Sequence, residues 1–427
     1  MEELCVVGKS VKKVDAYSKV TGRAIYSGDI QLPGMLQAKV LRSHYPHAYL
    51  EEIDTSKAKL VPGVHCVLTA KDIKGTNRYG LAVQDQQVLA EKKVRFMGDA
   101  IAAVAAETEE QAEEAVKNIK VVYKQLPAIS TVEEALADGA PLIYEKGNLL
   151  QHTKVRKGNV KTGFAQADVI VENTYTTQCV EHAYLERECS VADFDFDPPG
   201  YLTVWTSTQY PFRDRRQIAN ALGIKFSKLR VIQATTGGAF GGKDDITTEM
   251  YSTLLAYYTG RPVKYSMTRE ESFFSTTKRH PFKISCKTGA TKEGKLMALE
   301  GTIYADTGAF CSLGIYVAKK AGIHLAGPYY IPHVKVDTYT VYTNNVPSGA
   351  FRGFGTPQVA FAHESQMDIL AEKLGMPPVD IRLLNCLRPG LSTSTGHVLH
   401  YSVGIAKTLE IAKEHYLRLK EEGSGRE

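Results

Sequence analysis

The chain has 427 residues, 43% of them hydrophobic and 23% charged, with a formal net charge of +5. That balance excludes a disordered polymer, and the length exceeds what one hydrophobic core supports, so two or three domains are expected. The positive charge forms no basic block, which argues against nucleic-acid binding; no apolar signal region and no run near the roughly 20 apolar residues of a membrane span occurs, so a cytoplasmic protein is expected.

In chain order, residues 36–41 and 47–53 are expected as strands, followed by a short helix capped by Asp54, Thr55 and Ser56 and stopped at Pro62-Gly63, then a strand at 65–69. Residues 100–106 form a small apolar run suited to a strand buried on both faces. Thr108 and Gln111 have capping-box spacing ahead of Ala112, Ala115, Val116 and Ile119 at helical spacing, and 121–123 closes a β-α-β passage. The stretch 139–167 reads as a linker between a first domain, 1–138, and a second, 168–427. In the second, 169–175 is a strand, 190–196 and 202–207 pair across Asp197-Pro198-Pro199-Gly200, and 213–222 is a helix stopped by Gly223. Strands at 282–287 and 296–305, a helix at 363–374 ended by Gly375 and Pro377-Pro378, and a polar helix at 404–420 complete a mixed α+β pattern. Seven dispersed cysteines include no C-x-x-C pair, so they are expected as reduced thiols and any iron–sulfur cluster belongs on another chain.

Two glycine loops carry the chemistry. Thr236-Gly237-Gly238-Ala239-Phe240-Gly241-Gly242-Lys243-Asp244 lies between an expected strand, 229–233, and an expected helix, 246–258. Glycines let backbone approach a ligand, and amides at a helix start favour negative charge; a tight structural turn is the plain alternative. Gly237, Gly242 and Lys243 also satisfy the P-loop spacing of a nucleotide-binding module, but Asp244 stands where the magnesium-binding Ser or Thr belongs. The second loop, Gly349-Ala350-Phe351-Arg352-Gly353-Phe354-Gly355-Thr356-Pro357-Gln358, joins close backbone approach to a guanidinium and aromatic faces suited to a planar ligand, or forms an irregular packed turn. Gln209 ends the strand before the first helix of this region, placed either to offer an amide donor or as a turn residue. Glu186 and Glu188 stand at strand spacing near Tyr184, and His280 and His324 read as structural.

These loops, with Ser207-Thr208-Gln209 and the stretch from Lys12-Lys13-Val14-Asp15 to Lys19-Val20-Thr21-Gly22-Arg23-Ala24, resemble signature segments of the molybdenum subunit of the xanthine dehydrogenase/aldehyde oxidase family. The resemblance covers the first half of the family's molybdenum portion and is nearest to the nicotinate dehydrogenase branch, where that portion is split into two polypeptides. It implies an α/β hammerhead-type domain followed by the first half of a molybdenum-cofactor-binding domain. It further implies that Gln209 is catalytic, hydrogen-bonding an oxygen ligand on molybdenum, and that Gly238, Phe240, Gly241, Ala350, Phe351 and Arg352 line the cofactor, with no direct protein ligand to the metal. Asp244, Lys320 and Phe354 would line the substrate pocket, although Asp244 could be a helix-start acid and Lys320, beside Lys319, a solvated surface charge. The implied activity is insertion of water-derived oxygen at an electron-poor carbon of an N-heteroaromatic, nicotinate-like or purine. The implied cofactor is molybdopterin cytosine dinucleotide with molybdenum bearing a sulfido or selenido ligand. A second molybdopterin half-subunit would bring a glutamate base, and an iron–sulfur subunit and a FAD subunit would carry electrons away. The polar end Ser424-Gly425-Arg426-Glu427 fits a subunit terminus. A non-catalytic cofactor-loading scaffold is the third reading.

Overall fold

The computed structural model describes residues 4–194 and 200–423; the expected turn at Asp197-Pro198-Pro199 and the tail from Ser424 lie outside them. Ala100–Ala106, buried at every position, can only be a central strand, and it pairs with Leu36–Arg42 on one side and Val64–Thr69 on the other. Leu36–Arg42 then runs parallel to Val263–Ser266, and the sheet continues through Cys189–Phe194, Leu202–Thr206 and Leu229–Gln233 to seven strands. One core follows: Leu36, Val40 and Ala103 share it with Leu202, Val204, Leu254 and Tyr265.

A second sheet orders Leu149–Lys157, His333–Tyr342, Leu296–Gly308, Phe282–Ala290 and Val169–Thr176. Helices Gly314–His324 and Thr356–Leu374 pack against it through Val317, Leu325, Met367 and Leu370. A small third sheet joins Lys93–Val94, Ala48–Asp54 and Lys120–Gln125.

Several expected elements fall differently. The helix after Asp54 shrinks to the 3-10 turn Ala58–Leu60, because Val61 is extended ahead of Pro62. The β-α-β passage divides between sheets: Lys120–Gln125 is exposed at its ends and half-buried between, so it joins the small outer sheet rather than the buried one. The capping box of Thr108 and Gln111 is present at the helix Glu109–Lys117. The stretch 139–167, read as a linker, contains the strand Leu149–Lys157 and the helix Val160–Ala165; only Val155 of that strand is buried, so it carries little apolar periodicity. The helix expected from 246 begins at Thr248, and that expected from 363 begins at Thr356, immediately after the second glycine loop. Among the described residues no helix is long and apolar enough to cross a membrane.

Two facts position the site. Leu202–Thr206 and Leu229–Gln233 are adjacent parallel strands, so Gln209 and the first glycine loop leave the same sheet end. The second loop follows His333–Tyr342 of the other sheet and reaches across to the first.

Arg42 fastens the N-terminal strands to the rest. Its buried guanidinium donates to Tyr265 Oη at 3.1 Å and to the Gly98 carbonyl at 3.1 Å, and it lies 3.4 Å from the Glu271 carboxylate. Arg42→Ala leaves Glu271 without its buried cation and is expected to lower unfolding free energy by about 3–5 kcal/mol, measured by urea denaturation. A loss below about 1 kcal/mol would show the junction to rest on apolar packing alone.

Candidate functional site

The two glycine loops meet backbone to backbone. The Arg352 N–H donates to the Phe240 carbonyl at 2.9 Å. A Cβ on Gly241, whose φ is +103°, would lie 2.7 Å from the Ala350 carbonyl oxygen and 3.0 Å from Phe351 Cα. No other residue type fits there without separating the loops. Phe240 itself has a φ of +53° and Phe354 a φ of +56°, conformations that non-glycine residues hold only when surroundings enforce them. Asp245 Oδ2 accepts from Ser312 Oγ at 2.6 Å, and a Cβ on Gly349 would lie 2.8 Å from that hydroxyl and 2.9 Å from that carboxylate oxygen.

Gln209 is drawn into the same place. Its backbone N–H donates to the Lys243 carbonyl at 2.9 Å, and its Oε1 accepts the Gly241 N–H at 3.1 Å. The Nε2 group is then left as a donor on an exposed side chain. Behind it, Thr208 accepts from the Tyr210 N–H at 3.0 Å and donates to buried Asp214. Phe240 and Arg352 are likewise exposed, so Gln209, Phe240 and Arg352 share one open face.

The segment 182–188 forms the floor; the sequence reading singled out Glu186 and Glu188 near Tyr184 there, but not His182. His182 Nε2 lies 2.7 Å from the Ala350 carbonyl, and its ring stacks on Phe351 at 4.2 Å. The carbonyl can only accept, so this nitrogen carries the proton. Arg279 covers the Phe351 ring at 3.8 Å and donates to the Arg352 carbonyl at 3.1 Å. The Phe351 ring and the buried Ala350 methyl therefore turn inward, leaving backbone for any ligand contact. Gly238 lies over Tyr184, 3.0 Å from its Cβ if it carried one of its own.

Lys243 is not a phosphate-binding lysine. Its buried ammonium donates to Glu186 Oε2 at 2.8 Å and to the Glu186 carbonyl at 2.9 Å, while the Gly237 N–H donates to the same carboxylate at 2.6 Å. A carboxylate thus occupies the position a nucleotide phosphate would need. The following helix start is closed too, since Thr248 and Glu249 are buried. The expected anion-binding helix terminus is corrected accordingly, and the nucleotide-binding alternative loses its basis.

Asp244 contacts the loop through its N–H, which donates to the Gly241 carbonyl at 3.2 Å. Its carboxylate pairs with Arg213 Nη1 at 3.1 Å, a partner unforeseen from sequence. Burial and the charge of Asp245 push this carboxyl up to about 7, against the pull of Arg213. Lys320 places its ammonium 5.8 Å from the Phe354 ring centroid, so these two expected residues do adjoin. Glu188 accepts from the Tyr184 hydroxyl and, at 3.4 Å, from Ser272 Oγ, while Glu186 is held by Lys243. The carboxylates of Glu186, Glu188, Asp244 and Asp245 each have a hydrogen-bonding partner, while among the described residues one oxygen of Glu186 and one of Glu188 stays buried without one.

Residues 143–386 match the family model of the molybdopterin cofactor-binding domain, and 21–127 match that of the aldehyde oxidase and xanthine dehydrogenase a/b hammerhead domain. The chain is similar to the nicotinate dehydrogenase large molybdopterin subunit of Eubacterium barkeri, 46% identical over 96% of this chain and 96% of that one. It is 43% identical to a probable xanthine dehydrogenase subunit of Bacillus subtilis (strain 168), over 95% of this chain and 54% of that one. Among solved structures, aldehyde oxidoreductase from Desulfovibrio gigas superposes with a TM-score of 0.92 at 31% identity, over 97% of this chain and 47% of that one. The chain therefore spans nearly all of the first relative and about half the length of the other two.

Burial holds the His182 imidazole down to about 4, from an ordinary 6.5, although its bond to the Ala350 carbonyl opposes the shift. A depressed histidine contributes stability that is present above about 6.5 and is lost as pH falls through about 4. His182→Gln keeps an N–H donor but does not titrate. It is expected to lose less stability than the parent between pH 7 and 4, measured as urea midpoints at both pH values; equal losses would absolve the ring.

Proposed function

The chain belongs to the xanthine dehydrogenase/aldehyde oxidase family as a molybdopterin-binding oxidoreductase subunit, and we propose that it forms one half of a molybdenum hydroxylase active site. The reaction we assign is insertion of water-derived oxygen at an electron-poor carbon of an N-heteroaromatic, a pyridine carboxylate ahead of a purine. The meeting of Gln209, Phe240, Gly241 and Arg352 on one open face carries this reading.

The residues present suit the cofactor. The contact of Gly241 with the Ala350–Phe351 backbone sets the two loops side by side, and the exposed groups beside it are an amide donor and a guanidinium, which match an electron-rich, anionic ligand. Gln209 and the backbone at Phe240 and Gly241 would face the metal end of the pterin, with Arg352 and the Ala350–Phe351 backbone opposite. When bound, the cofactor supplies a Lewis-acidic centre that activates water and accepts electrons.

The chain's own residues orient and discriminate. Gly241 fixes Gln209 Oε1, so the Nε2 donor is aimed without an entropic cost at the moment of reaction. Phe354 offers a flat apolar face, and Lys320 a point charge for an anionic substituent. The general base we assign to a glutamate on a second molybdopterin half-subunit. Iron–sulfur and FAD subunits would pass electrons onward, the pterin would carry a cytosine dinucleotide, and the assembly would be cytoplasmic.

In the assembled complex, Gln209→Ala is expected to keep near-normal molybdenum while turnover falls about 10–100-fold, on the order of 1.4–2.7 kcal/mol of barrier. Arg352→Ala should instead lower molybdenum occupancy, because a charge-assisted bond worth roughly 1.5–3 kcal/mol is lost. Elemental analysis beside single-turnover rates separates the two effects. Full activity with both residues changed would favour a scaffold role.

A further inference from the structure

An unpaired Asp244 facing the substrate would repel an anionic ring substituent. In the fold it is paired. Arg213, at the start of the helix Pro211–Leu222, donates one Nη1–H to Asp244 Oδ1 at 3.1 Å and lies over the Tyr210 ring at 3.7 Å. Tyr210 directly follows Gln209, and Asp244 is hydrogen-bonded to Gly241, the residue that holds Gln209. The guanidinium is thus tied to the site on both sides.

Its remaining N–H groups are open. Among the described residues, the Arg213 guanidinium makes no other hydrogen bond, and its side chain is 36% exposed while that of Asp244 is 9% exposed. One buried acid is therefore compensated by a cation whose free edge faces out. Ring stacking and the single bond to Asp244 restrict the fork before any ligand arrives, which lowers the ordering cost of a second, bidentate contact. Lys320, with no ion pair among the described residues, adds a second cation at Phe354. A compensated acid whose cation keeps its own donors open suits an anion.

We propose that Arg213 is a specificity-determining residue, presenting its unused N–H edge to an anionic oxygen of the substrate, a carboxylate on a nitrogen heteroaromatic ring. This rests on the substrate class proposed above and adds the residue that recognises it. Asp244 then acts as a positioning residue that holds the fork.

The test uses the assembled, cofactor-loaded complex and calorimetric binding of two probes, pyridine-3-carboxylate and its uncharged carboxamide. The parent should prefer the carboxylate. Arg213→Met should weaken the carboxylate about 10–100-fold and the carboxamide less than about 3-fold, as expected for loss of a charge-assisted fork. The double variant Arg213→Met/Asp244→Asn removes the unpaired buried acid, so it protects assembly, and should show the same selective loss. Recovery of carboxylate binding in the double variant would mean that Arg213 only shields Asp244, and would overturn the proposal. So would equal weakening of both probes, or retention of the parent's preference in Arg213→Met. A parent that does not prefer the carboxylate would instead remove the substrate class itself, and this inference with it.

Discussion

The close approach of Gly241 to the Ala350–Phe351 backbone is the constraint on which the site depends. It brings together loops from two different sheets, one leaving the parallel pair Leu202–Thr206 and Leu229–Gln233, the other following His333–Tyr342. Because the contact is between backbones, it sets the distance between loops as long as position 241 carries no side chain. Gln209 and Arg352 inherit their positions from it, the first through the Gly241 N–H and the second through its own N–H to Phe240. Strained φ angles at Phe240 and Phe354 flank the contact, each of a kind that costs on the order of 1–3 kcal/mol and persists only where packing over-determines it.

That packing comes from a polar floor. His182 props the second loop at the Ala350 carbonyl, and Glu186 with Lys243 props the first at Gly237. A buried ion pair of this kind adds little net stability over an apolar replacement, but losing one partner leaves an uncompensated charge. Its role here is to fix loop shape. The same desolvation that makes the floor rigid holds the His182 imidazole neutral and lifts the Asp244 carboxyl toward neutrality, while Arg352 keeps an exposed cation on the open face.

Much of this was legible wherever a physical demand leaves a residue-type signature. Glycines mark the loops because only they permit the close approach, and Gly223, Gly260 and Gly375 close their helices in left-handed conformations. The capping box at Thr108 and the apolar run 100–106 were equally plain. His182, Arg213 and the Lys243–Glu186 pair left no such trace. Their partners lie 168, 31 and 57 residues away, and no local periodicity encodes a contact made by folding. The strand Leu149–Lys157 was hidden by its charged, half-exposed faces, and the buried start of the helix Thr248–Thr259 could not be told from an open one.

The account's central claim is that this chain supplies one side of a shared cofactor site, with its donors on an open face. Molybdenum content, measured by elemental analysis on the chain purified alone and on the chain co-expressed with its companion half-subunit, tests that directly. The account predicts metal far below stoichiometric in the isolated chain and near one per chain in the complex. Stoichiometric molybdenum in the isolated chain would contradict it.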